Sequence, residues 1–166
     1  MDNIKNKIIN LAIGIVKYVS DTEATLIRTN DMIDELKSTI DEIKADVKVS
    51  DEEKAMLIKQ LDEMLSTLEI EKSKTNGYKE IIEKKYAEII LLAEEHEVND
   101  EIILSLSKTI PELQNKLTLL MSVPESKKDR VIQLRIKAAQ ARVDTYKAAI
   151  DAFSGIEIEP KTSGGK

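Results

Sequence analysis

Residues 102–121 read IILSLSKTIPELQNKLTLLM, and half of them are large and apolar. Ile103, Leu106, Ile110, Leu113, Leu117 and Leu120 follow one another at alternating spacings of three and four. With 3.6 residues per turn, that spacing lays them along one side of a helix. Ile102, Leu104, Leu119 and Met121 add apolar surface on the remaining sides. A helix that is apolar nearly all round is expected to be enclosed by others. The segment is therefore predicted to be the central post of a helical bundle, most buried around Leu113.

On its C-terminal side, Ser122-Val123-Pro124-Glu125 has the form of a cap followed by proline in a first turn, where the missing amide costs little. A turn is predicted there. The similar Thr109-Ile110-Pro111-Glu112 predicts a kink or short break, because the apolar stripe runs on across it. From Pro124 to Ser154, Ile132, Ile136, Ala139, Val143, Tyr146, Ile150 and Phe153 alternate four and three without interruption. Ala138, Ala141, Ala148, Ala149 and Ala152 keep the flanks of that helix narrow, so a neighbour is able to approach closely. Gly155 ends it, and the residues after it have no packing stripe; 155–166 is predicted to be a flexible tail.

On the N-terminal side, Ile8, Ala12, Ile15, Val19, Leu26, Ile33, Leu36, Ile40, Ile43 and Val47 hold one heptad phase, interrupted only by Thr22 and Thr29. That predicts one helix over about 2–48, roughly 70 Å if unbroken. Ser20-Asp21-Thr22-Glu23 has capping-box form and would support a break, but continuity fits the phase better. Ser50-Asp51-Glu52-Glu53 is the stronger capping box, and the chain is expected to turn there. Leu57, Leu61, Met64 and Leu68 form the next stripe, widened by Ile58 and Leu65. Asn76-Gly77 accepts positive φ, which is how many helices stop, so two helices are expected, about 51–75 and 78–96. Asn99 or Asp100 is placed to cap the next, about 100–122, and the last covers about 124–154. The fold class these readings give is all-α, an elongated helical bundle or antiparallel coiled coil of at least three long helices, with no sheet. Residues 1–154 are taken as a single helical domain.

Composition agrees with long helices: 34% of residues are charged and 42% hydrophobic, with five Gly and three Pro. The only rings besides His96 are Tyr18, Tyr78, Tyr86, Tyr146 and Phe153, few for a small-molecule pocket or a base-stacking platform. No small-molecule substrate is expected. A formal charge of −6 argues against general nucleic-acid binding. Charge is unevenly spread. Ser50–Glu71 has seven acids against two lysines, and Pro124–Ser154 seven bases against four acids. These two segments are expected to lie near each other with complementary signs. No run reaches the roughly 20 apolar residues of a membrane span. Ile8–Val16 is apolar, but Asp2 weakens the positive end and no small-x-small site follows. The expectation is a soluble protein, cytoplasmic or part of an assembled particle.

Chemistry is sparse. His96 is the only histidine and there is no cysteine, so a histidine dyad, a multi-histidine metal site and a thiolate site are all excluded within one chain. His96 lies among Glu94, Glu95, Glu97, Asp100 and Glu101, but position 93 is alanine where a di-iron bundle would place glutamate. The patch is taken as a solvated acidic helix end. Asp51-Glu52-Glu53 lacks the alternation and central glycine of a calcium loop. The one Gly-Gly pair, Gly164-Gly165, has neither strand before it nor helix after it. No catalytic residue, cofactor or metal is assigned.

Two features point to contacts instead. Lys128, Arg135 and Arg142 are spaced by seven on one flank of the last helix, where guanidinium forks suit an acidic partner or a phosphate backbone; the competing reading is that this flank pairs internally with acidic helices. The stretch Ile4–Val19, with Lys5, Lys7 and Lys17, would suit a membrane surface or a groove on another protein; the competing reading is an ordinary packed helix, with Gly14 admitting a close neighbour. The function expected is a non-catalytic structural or assembly protein that works through helix–helix contacts and associates with itself. A small module that inhibits or titrates a protein partner, and a peripheral membrane protein using residues 4–19, are the alternatives.

Overall fold

A computed structural model of the protein describes residues 2–155. Its elements are α1 (Asp2–Ala45), α2 (Asp51–Glu95), α3 (Asn99–Met121), a single 3-10 turn (Glu125–Lys127) and α4 (Arg130–Phe153), with no strand among the described residues. The chain is an all-α helical bundle. The expected tail beyond Gly155 lies outside the described residues.

α1 and α2, 44 and 45 residues long, form an antiparallel hairpin of about 66 Å. Its register is set by Lys79, whose Nζ lies 3.1 Å from Glu23 Oε1, and near the bend by Lys54 Nζ, which donates to the Lys44 carbonyl at 3.1 Å. α3 and α4, 23 and 24 residues long, form a second hairpin about half as long. α4 packs on α1, α3 mainly on α4, and α1–α3 and α2–α4 contacts are minor. α4 begins level with Asp31 and Glu35 of α1, where Arg130 meets both carboxylates. Beyond that level α1 and α2 continue alone as a two-helix arm tipped by residues 46–50.

The element at the centre is α1, not the 102–121 segment. α1 buries Ile8, Ala12, Val16, Ser20 and Ala24 at steps of four, then Leu26, Ile33, Leu36 and Ile40. Its buried face is wide where α2 and α4 lie on different sides of it, and narrows to one seam along the arm. The small residues Ala12, Ser20 and Ala24 on α1, and Ala138 and Ala149 on α4, are all buried, which lets helix backbones come close. α3 is peripheral. It buries Ile102, Leu106 and Leu117, but Leu113 is only half-buried and Leu119 is 70% exposed. Its apolar circumference exceeds what one full neighbour and one partial neighbour cover. The best-filled part of the core lies at the α2–α3 turn, where Ile8, Ala93, Ile102, Leu106 and Phe153 meet from all four helices.

Several boundaries differ from those expected. α2 runs unbroken through Asn76-Gly77, because α1 lies alongside and its contacts outweigh the ~1 kcal/mol that a helical glycine costs. α2's inner line is Leu61, Leu65, Leu68, Lys72, Thr75, Lys79 and Ile82, all half-buried, while Met64 and Tyr78 face out. The first helix ends at Ala45, three residues early, and Val47 is exposed. There the Asp46 carboxylate accepts from the Lys48 amide at 2.9 Å, a local turn that competes with helix continuation. Ser50 caps α2 as expected, its Oγ accepting from Glu53 N at 3.2 Å. Pro111 lies within α3 without ending it; both it and Ser107, whose carbonyl loses its donor, are exposed, so water can serve that oxygen. The expected 124–154 helix splits into the 3-10 turn and α4, because Asp129 caps at Arg130: its Oδ1 accepts from Ile132 N at 2.9 Å. Neither Asn99 nor Asp100 caps α3, whose first amides follow Val98. The Asn99 side-chain amide donates instead to the Phe153 carbonyl and ties the start of α3 to the end of α4.

Candidate functional site: a basic groove and an outer seam

The spacing of Lys128, Arg135 and Arg142 suggests a single comb of cations, but the three side chains have separate environments. Lys128 is tucked in, its Nζ donating to Glu125 Oε1 at 3.1 Å within the 3-10 turn. Arg142 reaches across to α1, where its Nη1 donates to Asp21 Oδ1 and, at 3.4 Å, to the buried Ser20 Oγ. Arg130 does the same lower on α4 with Asp31 and Glu35. Arg130 and Arg142 of α4 therefore pair with acids of α1, while Lys128 pairs locally. The acidic 50–71 segment, expected beside it, lies on the arm beyond the start of α4.

Arg135 points into a groove of about 720 Å³ whose floor is α4 and whose walls are α1 and α3. The walls splay because α3 is held to α4 far more than to α1. Lys17 and Arg28 come from α1, Lys116 from α3, and Arg135 and Arg142 from α4, against one acid, Glu112. Arg142 is neutralised by Asp21. Among the described residues, none of Lys17, Arg28, Lys116 and Arg135 has a carboxylate within ion-pair distance. The floor includes Ala138 and Ala139, with Tyr146 beyond them. Burial, and then the charge of Asp21, raise the Tyr146 phenol above its ordinary pKa while Arg142 lowers it, so it stays protonated at neutral pH. From Ile13 to Arg28 the groove follows α1 for about 22 Å. It has the length and open shape of a slot for an extended or helical segment. Arg135 and Arg142 are marked in sequence by their spacing and Lys17 by its place in the Ile4–Val19 stretch; Arg28 and Lys116 carry no motif, and nothing in sequence joins the five.

The N-terminal stretch turns its apolar stripe inward: Ile8, Ala12 and Val16 belong to the core. What remains outside is a different line. Ile4 is 49% exposed, Leu11 57%, Tyr18 48% and Met32 48%. These positions are seven apart, with exposed Thr25 completing the series. Gly14 lies between Leu11 and Tyr18 on this outer side, and a methyl group placed on it would meet nothing within 4 Å. It therefore holds no close helix approach within the chain, contrary to the expectation. Sequence pattern had obscured this seam, because the stronger 8–12–15–19 stripe runs beside it.

His96 ends α2 as its C-cap, and among the described residues no three carboxylate or imidazole side chains converge as a metal site would require. No described helix is long and apolar enough to cross a membrane. No family model, no curated protein and no solved structure matches the chain.

Proposed function

We propose that the protein is a non-catalytic structural or assembly protein that associates with copies of itself through helix–helix contacts. The observation that supports this is the outer seam of α1: large apolar residues at positions 4, 11, 18 and 32, each about half exposed, in the seven-residue register a second helix needs for side-by-side packing. Aligned apolar residues on a surface otherwise rich in charge mark an interaction site more often than scattered ones do. Gly14, open to solvent in the middle of the seam, gives a neighbouring helix room to approach. Solution mass by light scattering across a hundredfold concentration range tests the proposal. A mass that rises to a defined multiple, or keeps growing, is the expected result. A monomer mass throughout would overturn it.

A further inference from the structure

We infer that the basic groove between α1, α3 and α4 receives the acidic arm of a second copy of this chain. The inference rests on the self-association proposed above and names a second contact, separate from the α1 seam.

The groove holds four cations with no carboxylate within ion-pair distance among the described residues, in a protein whose formal charge is −6. Holding like charges together on three converging helices is unfavourable unless an anion offsets them. Small molecules are a poor match, since the cations are strung along about 22 Å of α1 rather than gathered at one point. A helix is a better match. The alanine floor admits a backbone closely, Ile13, Leu113 and Leu120 offer apolar wall, and a helix laid there would cover the open side between α1 and α3. Such a helix must be acidic, with some apolar side chains on its exposed face.

The first half of α2 meets both requirements. Residues 50–71 carry seven acids against two lysines. Asp51, Glu52, Glu53, Asp62 and Glu63 are all exposed, and so are Met56 and Met64 beside them. α4, with its basic flank, stops short of this region, and among the described residues none of Asp51, Glu52, Glu53, Asp62 and Glu63 has a cation within ion-pair distance. Within one molecule the arm projects away from the groove, and the two meet only between copies. Opposite charge at such a contact selects the partner and its direction, and is weakened by salt.

The test isolates this contact in a chain whose α1 seam has been made polar by Leu11→Gln/Tyr18→Gln. Sedimentation velocity of that chain at low salt is expected to show association that added salt reverses. Two charge reversals are then made in it, Lys116→Glu/Arg135→Glu in the groove and Asp62→Lys/Glu63→Lys on the arm. All four sites are exposed, and helical content by circular dichroism checks that folding is kept. Each reversal is expected to weaken association about tenfold or more, and an equimolar mixture of the two to regain it, because each arm then finds a groove of opposite sign. Three results overturn the inference while leaving self-association in place: a seam-polar chain that is monomeric although the parent associates, reversals without effect, or a mixture that stays apart. A parent chain that is monomeric at every concentration removes the proposed function and this inference together.

Discussion

Arg130, the first residue of α4, encloses Asp31 of α1. Its Nε donates to Asp31 Oδ2 at 3.2 Å, and its Nη2 donates to the Asp31 carbonyl at 2.9 Å while lying 3.0 Å from Oδ1. A third nitrogen, Nη1, is 3.2 Å from Glu35 Oε1. A cation in the first turn of a helix is disfavoured by the helix dipole, so tertiary contact has to offset that cost. The arginine side chain is about half exposed, which limits the gain. We expect Arg130→Ala to cost about 1 kcal/mol, and Arg130→Lys to recover less than half of it, because a lysine has no planar fork to share between the carboxylate and the backbone oxygen. Urea unfolding at low and high salt checks this, and the loss should shrink as salt rises.

Gly77 is helical, exposed, and has nothing within 4 Å of where a methyl group would stand. Replacing it by alanine removes backbone freedom from the unfolded chain without meeting any neighbour. Gly77→Ala should stabilise the protein by about 0.5–1 kcal/mol, read as a rise of about 1–4 °C in melting temperature. A fall in melting temperature would mean that α2 bends at Asn76-Gly77 in solution.

Gly77 also illustrates what was legible in the sequence. Helix content, the Ser50 cap and the apolar line of α4 follow from local rules: periodicity, capping oxygen and branched side chains. Asn76-Gly77 has the local signature of a stop, yet the pairing of α1 with α2 overrides it. The apolar richness of 102–121 gives the amount of greasy surface but not which neighbours cover it, so a peripheral helix reads as a central one. α1, the true centre, conceals its role because part of its buried line is Ala12, Ser20 and Ala24, small or polar residues that mark close packing rather than hydrophobic drive. The groove is the least legible feature. Lys17, Arg28, Lys116 and Arg135 come together only through the order in which the helices pack.

Glu97 has φ 57° at the end of α2. The Glu97 amide donates to the Glu94 carbonyl and the Val98 amide to the Ala93 carbonyl at 3.2 and 3.1 Å, the pair of bonds that closes a helix in the Schellman manner, with fully buried Val98 supplying the usual apolar contact. The left-handed residue in that motif is most often glycine, and a side chain there is strained. Glu97→Gly should therefore stabilise by about 1 kcal/mol. Val98→Ala, which leaves the strain and empties the contact, should do the opposite. Parallel chemical denaturation of the two variants decides it.

Tyr86 packs edge-on against Phe153, ring centroids 6.2 Å apart, and burial pushes its phenol up to about 12 from 10.0. The folded chain thus resists ionising a group that the unfolded chain ionises near 10. Stability from this residue is full below pH 10, falls as pH rises from 10 towards 12, and levels off above that. The total loss is on the order of 2 kcal/mol. Tyr86→Phe has no proton to lose. Melting temperatures of the parent and of Tyr86→Phe should therefore diverge between pH 9 and pH 11.5 in favour of the variant, relative to their difference at neutral pH. Curves that stay parallel across that range would show that the phenol is hydrated in the folded protein.

The seam on α1 separates association from folding. Leu11 and Tyr18 face away from the core, and each is about half exposed, so neither contributes much buried area within one chain. Exposed surface substitutions of this kind usually change stability by less than about 0.5 kcal/mol. If copies pack along this seam, the same two residues become central to an interface, where an aromatic anchor and a leucine two turns apart, on either side of Gly14, are worth several times more. Leu11→Gln/Tyr18→Gln should then leave the unfolding midpoint of the dilute protein nearly unchanged while weakening self-association about tenfold or more. Ile8→Gln, one turn before Leu11 but on the buried side, should do the reverse and destabilise the fold itself. Light scattering and thermal melting on the same samples read both quantities. A seam variant that associates as the parent does would move the contact between copies off this face of α1.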